Sequence, residues 1–167
     1  MDKRSLTWLA VLFGLLLGLE LATRERGAEA VSGPVTLEAA AGGSAVWNSC
    51  AAAQCVTVYV APWCSVCRAS IPFINAFVDY LQGHGVPARV VVGQGSPAEL
   101  RAYAKEFGPR TLLDVDGRVP LEGGVPQFLI TSAAGRVIRR QPGLPRIFTP
   151  PISADDIRGV ARALGLL

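Results

Sequence analysis

The sequence predicts an α/β domain, a central mixed β-sheet flanked by helices, preceded by an N-terminal signal-anchor helix. Three observations lead there. Short β-branched runs alternate with helical apolar stripes, two helix starts carry capping boxes, and an apolar stretch opens the chain behind basic residues. The chain divides into an N-terminal segment 1–22, a linker 23–34 and a domain 35–167, a size that supports one core.

Met-Asp-Lys-Arg precedes an uncharged run from Leu6 to Leu19, a positive n-region before an apolar core. Extended to Ala22 the stretch has 17 residues, the short end for a membrane span, with Glu20 near its edge. Ala28-Glu-Ala30 offers a cleavage site, but beyond Arg24 and Arg26. Uncleaved anchor and cleaved export signal both stand, the anchor slightly favoured. Under either, Lys3 and Arg4 keep the N-terminus in the cytoplasm and the domain is exported, to the periplasm or outer face of a bacterial inner membrane. Gly14 and Gly18, four apart, could let two anchors pack. The mean hydropathy of +0.36 owes much to this segment and does not argue for further spans.

Cys55-Val-Thr-Val-Tyr-Val60 reads as a buried strand. Cys67, Ile71, Ile74, Val78 and Leu81 then form one helical stripe, and Pro72 inside that helix should kink it. Gly83-His84-Gly85 is a solvated turn, and Ala88–Val92 a second core strand. Ser96-Pro-Ala-Glu99 is a capping box with proline at the first helical position, opening a helix through Phe107. Thr111 to Gly117 is a short apolar run ending in a turn; Gln127–Thr131 and Arg136–Arg140 pair as a hairpin. Gln141 to Pro151 is a Pro-rich ordered surface loop, and Ser153-Ala-Asp-Asp156 caps a last helix with Ile157, Val160, Ala161 and Leu164 on one face. The order is β-α-β-α, then β-β-α.

The chemistry concentrates at Ala61–Pro72, A-P-W-C-S-V-C-R-A-S-I-P. Cys64 falls at the first turn of a helix, where free N–H groups and the dipole favour its thiolate. Cys67 lies one turn deeper on the buried stripe. An exposed nucleophile beside a shielded resolving thiol is what thiol-disulfide exchange requires.

These residues resemble the thioredoxin superfamily. Trp63, Cys64, Cys67, Arg68 and Pro72 fill the places of its W-C-x-x-C signature, the following basic residue and the proline five positions on. Gly124-Val-Pro-Gln-Phe128 resembles its second mark. The resemblance implies a thioredoxin-like fold in which Pro126 is a cis-proline against the cysteines. It also implies that the Val125 backbone pairs with a bound substrate chain and that Trp63 flanks the thiols. Leu-Leu-Asp-Val-Asp-Gly117 ahead of that motif, with an N-terminal anchor, is similar to the membrane-tethered TlpA/ResA group. That likeness implies a reductase of disulfides in protein substrates outside the cytoplasm, recharged by a membrane electron-donor protein and needing no cofactor.

Three departures bear on mechanism. Val58 occupies the place of the buried carboxylate of many thioredoxins, six residues before the first cysteine, and Ser70 that of the ResA-type glutamate, three after the second. The proton acceptor for Cys67 is therefore open, with water as one choice. The central Ser65-Val66 matches neither a familiar reductant nor a strong oxidant, so redox direction stays open.

Cys50 and Cys55 precede the active-site strand. In an exported protein their leading reading is a structural disulfide; the sharper one is a relay to Cys64. Nine residues at about 3.3 Å each would separate Cys55 from Cys64 by up to ~30 Å, which disfavours the relay.

Zinc would need a second ligand pair, and the one histidine, His84, lies in a turn. A thioredoxin-fold module that holds Cu(I) on Cys64 and Cys67 is the alternative function; His84 is far in sequence from where such relatives place a histidine. A peroxiredoxin-like reading fails on Ala61, where a threonine is usual. A formal charge of +3 and the lack of a basic stripe with interleaved aromatics argue against nucleic acid. Arg68 could hold the Cys64 thiolate or simply be solvated, whereas Trp47, Phe73 and Phe77 read as packing.

Overall fold

A computed structural model describes residues 33–144, 148 and 150–167. The expected N-terminal anchor, nearly all of the linker and part of the loop before the last helix lie outside the described residues. Among those described, no helix is long and apolar enough to cross a membrane.

The strands are β1 (Thr36–Ala39), β2 (Ser44–Val46), β3 (Gln54–Val60), β4 (Ala88–Gly93), β5 (Leu112–Asp114), β6 (Gln127–Ser132) and β7 (Val137–Pro142). The helices are α1 (Ser65–Ala69), α2 (Ile71–Gly83), α3 (Pro97–Ala104), followed by a 3₁₀ turn (Lys105–Phe107), and α4 (Ala154–Ala163). One sheet runs β2-β1-β5-β4-β3-β6-β7. β3 pairs parallel with β4 and antiparallel with β6, so the sheet is mixed. β3 is an interior strand between β4 and β6, and nearly all of its seven residues are buried, which its β-branched and aromatic run permits.

Alternation on β3 sends Val56, Val58 and Val60 to one face and Cys55 and Tyr59 to the other. The first face packs against the helices. Phe73, Ile74, Phe77 and Leu81 of α2, Leu100 and Tyr103 of α3, and Ile157, Val160 and Ala161 of α4 join it in one core. Phe73 stacks on Phe148 at 4.2 Å and Phe77 meets Phe128 edge-on at 5.7 Å. On the opposite face, Trp47, Tyr59, Val91, Leu112, Val119, Leu129 and Val137 form a second core covered by loops.

Both capping boxes form. Ser96 and Glu99 exchange bonds at the start of α3, as do Ser153 and Asp156 at α4. The last turn of the expected Ser96–Phe107 helix tightens to 3₁₀.

Three expectations are corrected. Pro72 does not kink a continuous helix. The helix breaks at Ser70, and Pro72 occupies the first turn of α2, where its missing N–H has no helical acceptor to lose. The buried stripe is centred on Phe73, Ile74, Phe77 and Leu81, with Ile71 and Val78 only partly buried, because the aromatic side of α2, next to the counted stripe, is the one that packs on Phe148 and Phe128. Gln141 and Pro142 end β7 instead of opening a loop. The β1–β2 hairpin was not anticipated; its short strands hold few β-branched residues, and its pairing with β5 is a tertiary contact.

Cys50 and Cys55 are joined in a disulfide at the start of β3, with Cα atoms 5.5 Å apart. The same corner is stitched by Asn48, which accepts from Val35 N and donates to Gly33 and Gly135 carbonyls, and by Arg89, which donates to Val46 and Ser49 carbonyls. A sequence separation of only 5 makes a small closed loop. Replacing both cysteines by serine should therefore cost about 2 kcal/mol, read from the urea midpoint.

Candidate active site

Cys64 is the N-cap of α1, with extended backbone (φ −78°, ψ 111°), and its Sγ accepts the Cys67 N–H at 3.0 Å. The turn forms because Pro62 has no N–H with which to extend the β3 ladder, and Cys64 N returns to the Ala61 carbonyl at 3.2 Å. Cys67 lies one turn on, and the two cysteines are joined in a disulfide with Cα atoms 5.2 Å apart.

The sequence reading made Cys64 exposed and Cys67 shielded. Cys67 is fully buried, but Cys64 is only 5 % exposed. The Val125 carbonyl oxygen lies 3.4 Å from Cys64 Sγ, so the loop before β6 covers it from above. Trp63, 64 % exposed, is open together with Ser65 and Val66.

Sixty residues of intervening chain return to this point. The Val125–Pro126 peptide bond is cis and Pro126 is buried. The Pro126 carbonyl accepts Gly143 N at 2.7 Å, which ties the loop to the end of β7. Gln127, fully buried, bonds the Glu122 backbone at both its side-chain oxygen and nitrogen, which braces the approach to the cis bond. Trp63, Cys64, Cys67, Val125 and Pro126 thus meet in one place, whereas Cys50 and Cys55 are at the opposite end of β3.

Arg68 is corrected. Its Nε donates to the Pro62 carbonyl at 2.6 Å and its guanidinium lies 5.9 Å from the Tyr103 ring centre, so it braces the turn and α3. Beside it runs a groove of about 330 Å³, lined by Pro62, Trp63, Gln94, Glu99, Tyr103 and Glu106. No local signal marked this groove, since its far wall comes from the β4–α3 loop and α3. His84 caps the end of α2 and stacks on Tyr80 at 4.0 Å, remote from the cysteines in the chain. Among the described residues no group of three or more His, Cys, Asp or Glu is placed to hold a metal.

Two buried tyrosines set an alkaline limit. Burial, with the neighbouring Asp114 carboxylate and its hydrogen bond, pushes the Tyr59 hydroxyl far above its ordinary range. Burial pushes Tyr103 up to about 12, with Arg68 opposing and Glu106 adding to the rise. Both stay protonated in the folded chain at a pH where the unfolded chain has lost those protons. Stability is therefore complete below about pH 10 and should fall above it, by about 1.4 kcal/mol per pH unit for each tyrosine. Denaturation between pH 9 and 11.5 checks this, with Tyr103→Phe flattening the slope.

No protein-family model matches the chain, and no curated protein matches it in sequence. Solved structures do match. A secreted disulfide oxidoreductase of Mycobacterium tuberculosis superposes with a TM-score of 0.58 at 16 % identity, over 80 % of this chain and 96 % of that one. The exposed lipoprotein thioredoxin of Streptococcus pneumoniae gives 0.60 at 18 %, over 81 % and 100 %. A thio-disulfide isomerase from Thermus thermophilus gives 0.51 at 19 %, over 80 % and 93 %. The chain therefore has the thioredoxin-like fold. The neighbours are whole domains of similar extent, so the likeness covers the entire α/β unit and not the motif alone.

Proposed function

We propose that the protein is an exported thiol-disulfide oxidoreductase that reduces disulfides in protein substrates, with Cys64 as nucleophile and Cys67 as resolving thiol. The observation that carries this reading is the Cys64–Cys67 pair at a helix N-terminus, with a backbone N–H on Cys64 Sγ and the Val125 carbonyl beside it. The N–H and the helix end stabilise a thiolate on Cys64. Attack by that thiolate on a substrate disulfide forms a mixed disulfide and releases one substrate thiol. Cys67 then attacks Cys64 Sγ, which releases the second thiol and closes the pair. Trp63 supplies an apolar platform, and the Val125 backbone pairs with the extended substrate segment while Pro126 holds that loop against the cysteines.

In this reading segment 1–22 anchors the protein on the outer side of a bacterial inner membrane, residues 23–34 tether it, and a membrane dithiol protein recharges it. The extracytoplasmic setting is supported by the secreted and exposed neighbours and by the Cys50–Cys55 disulfide. The test is the reduction potential of the Cys64/Cys67 pair in glutathione or dithiothreitol buffers, with Cys50 and Cys55 replaced by serine. A value near about −270 mV supports the reductase, and one near about −120 mV makes it an oxidase instead. Absence of a reversible couple, with stoichiometric Cu(I) uptake, would replace the redox reading by copper binding.

A further inference from the structure

Ser70 stands where α1 ends and α2 begins, as C-cap of the first helix and N-cap of the second. Its backbone is fully used. Its N–H reaches the Val66 carbonyl at 3.0 Å and the Cys67 carbonyl at 3.2 Å, and its own carbonyl accepts from Ile74 at 2.8 Å. Its side chain is not used. An N-cap serine ordinarily offers its oxygen to an N–H in the first turn, but Ser70 makes no such bond. The hydroxyl is fully buried and has no hydrogen-bond partner. A buried hydroxyl in that condition is costly, and it calls for a reason.

The reason lies one turn back. Residues three apart on a helix share a face, with Cβ atoms about 5–6 Å apart, and the residue three before Ser70 is the buried Cys67. The core to which Cys67 belongs is apolar and also holds Val58 and Val60 from β3, Ile74 from α2, Leu100 from α3, Phe128 from β6 and Ile157 from α4. Cys64 and Tyr103 are the other titratable groups in that core; Arg68, whose Nε is taken by Pro62, lines a groove with Tyr103, Glu99 and Glu106. Among the described residues the one buried carboxylate, Asp114, pairs with Tyr59 on the other face of the sheet.

When a thiolate of a dithiol partner attacks Cys64 Sγ, a new S–S bond forms and the Cys64–Cys67 bond breaks. Its electron pair leaves on Cys67 Sγ as a thiolate. An unpaired charge there, among aliphatic side chains, would be strongly disfavoured. We propose that Ser70 is a positioning residue for this step, its hydroxyl free in the disulfide state and turning to donate a hydrogen bond to the Cys67 thiolate whenever the disulfide opens. In the reverse direction the same bond holds Cys67 ionised and aimed at the mixed disulfide on Cys64. Ser70 keeps its proton throughout, and solvent supplies the proton that Cys67 takes up. The inference rests on the redox reading above and identifies how the resolving thiol is handled where, among the described residues, no acid is buried on this face.

The test uses the full-length chain. In a Cys64→Ala background, Cys67 is the one active-site thiol and is titrated by thiolate absorbance. Ser70→Ala should raise its apparent pKa by about one unit, and Ser70→Thr, which keeps the hydroxyl, should restore most of it. In the chain with both active-site cysteines, reduced and mixed with an aromatic disulfide, the first thiol release reports Cys64 and the second reports Cys67. Ser70→Ala should leave the first unchanged and slow the second about tenfold at pH 7. Unchanged Cys67 titration together with an unchanged second release would overturn the proposal. So would a lowered melting temperature of oxidised Ser70→Ala with no titration change, which would make Ser70 a packing residue. Failure of the redox reading is seen separately, as the absence of a reversible couple in the parent chain.

Discussion

Cys64→Ser should abolish turnover of a disulfide substrate, a loss of at least about a thousandfold, because a serine hydroxyl at neutral pH supplies no nucleophile comparable to a thiolate. Cys67→Ser should do something different. It leaves Cys64 at the helix N-cap, so the first attack proceeds, but nothing buried beneath it can expel the substrate. The mixed disulfide then accumulates and is visible as a reducible adduct on a nonreducing gel. The asymmetry follows from geometry: Cys64 lies beside the Val125 loop and the open face of Trp63, while Cys67 is fully enclosed. Adduct formation by Cys64→Ser with Cys67 intact would reverse the assignment of roles.

Asp114→Ala should cost about 3 kcal/mol of stability, a large effect for one polar side chain. The Asp114 carboxylate is buried between the sheet and the loop after β5, where it accepts the Tyr59 hydroxyl at 3.0 Å, Arg118 N at 2.7 Å and Val119 N at 3.1 Å. Removing it leaves a buried hydroxyl and two backbone donors without a partner. The Tyr59 hydroxyl also fills the space over Gly93, where an added Cβ would collide with it. Gly93→Ala should therefore destabilise through overcrowding as well, by about 1–3 kcal/mol. Urea unfolding of the two variants checks both figures; a midpoint for Asp114→Ala within error of the parent would show the network to be dispensable.

Much of this arrangement is legible in the sequence, for local reasons. A β-branched run, two capping boxes and a C-x-x-C at a strand-to-helix junction each draw on forces acting within a few residues, and β3, β4, the β6–β7 hairpin, α3 and α4 form where those signals lie. The pairing of β1 with β5 was not legible, because edge-strand register is decided by partners distant in the chain. Nor was the side of α2 that is buried. Apolar residues cover two adjacent sides of that helix, and packing on Phe148 and Phe128 selects the one with Phe73 and Phe77.

By itself the sequence determined the chemistry available: two thiols one helical turn apart, a proline motif some sixty residues on, and no carboxylate at either familiar proton-handling position. Tertiary structure decided how those parts are used. It brought Val125 to Cys64, tied Arg68 to Pro62 and Tyr103, and enclosed the Ser70 hydroxyl without a partner. Burial and the completion of a hydrogen bond are properties of what surrounds a group, and those surroundings are assembled from strands and helices that no local pattern brings together.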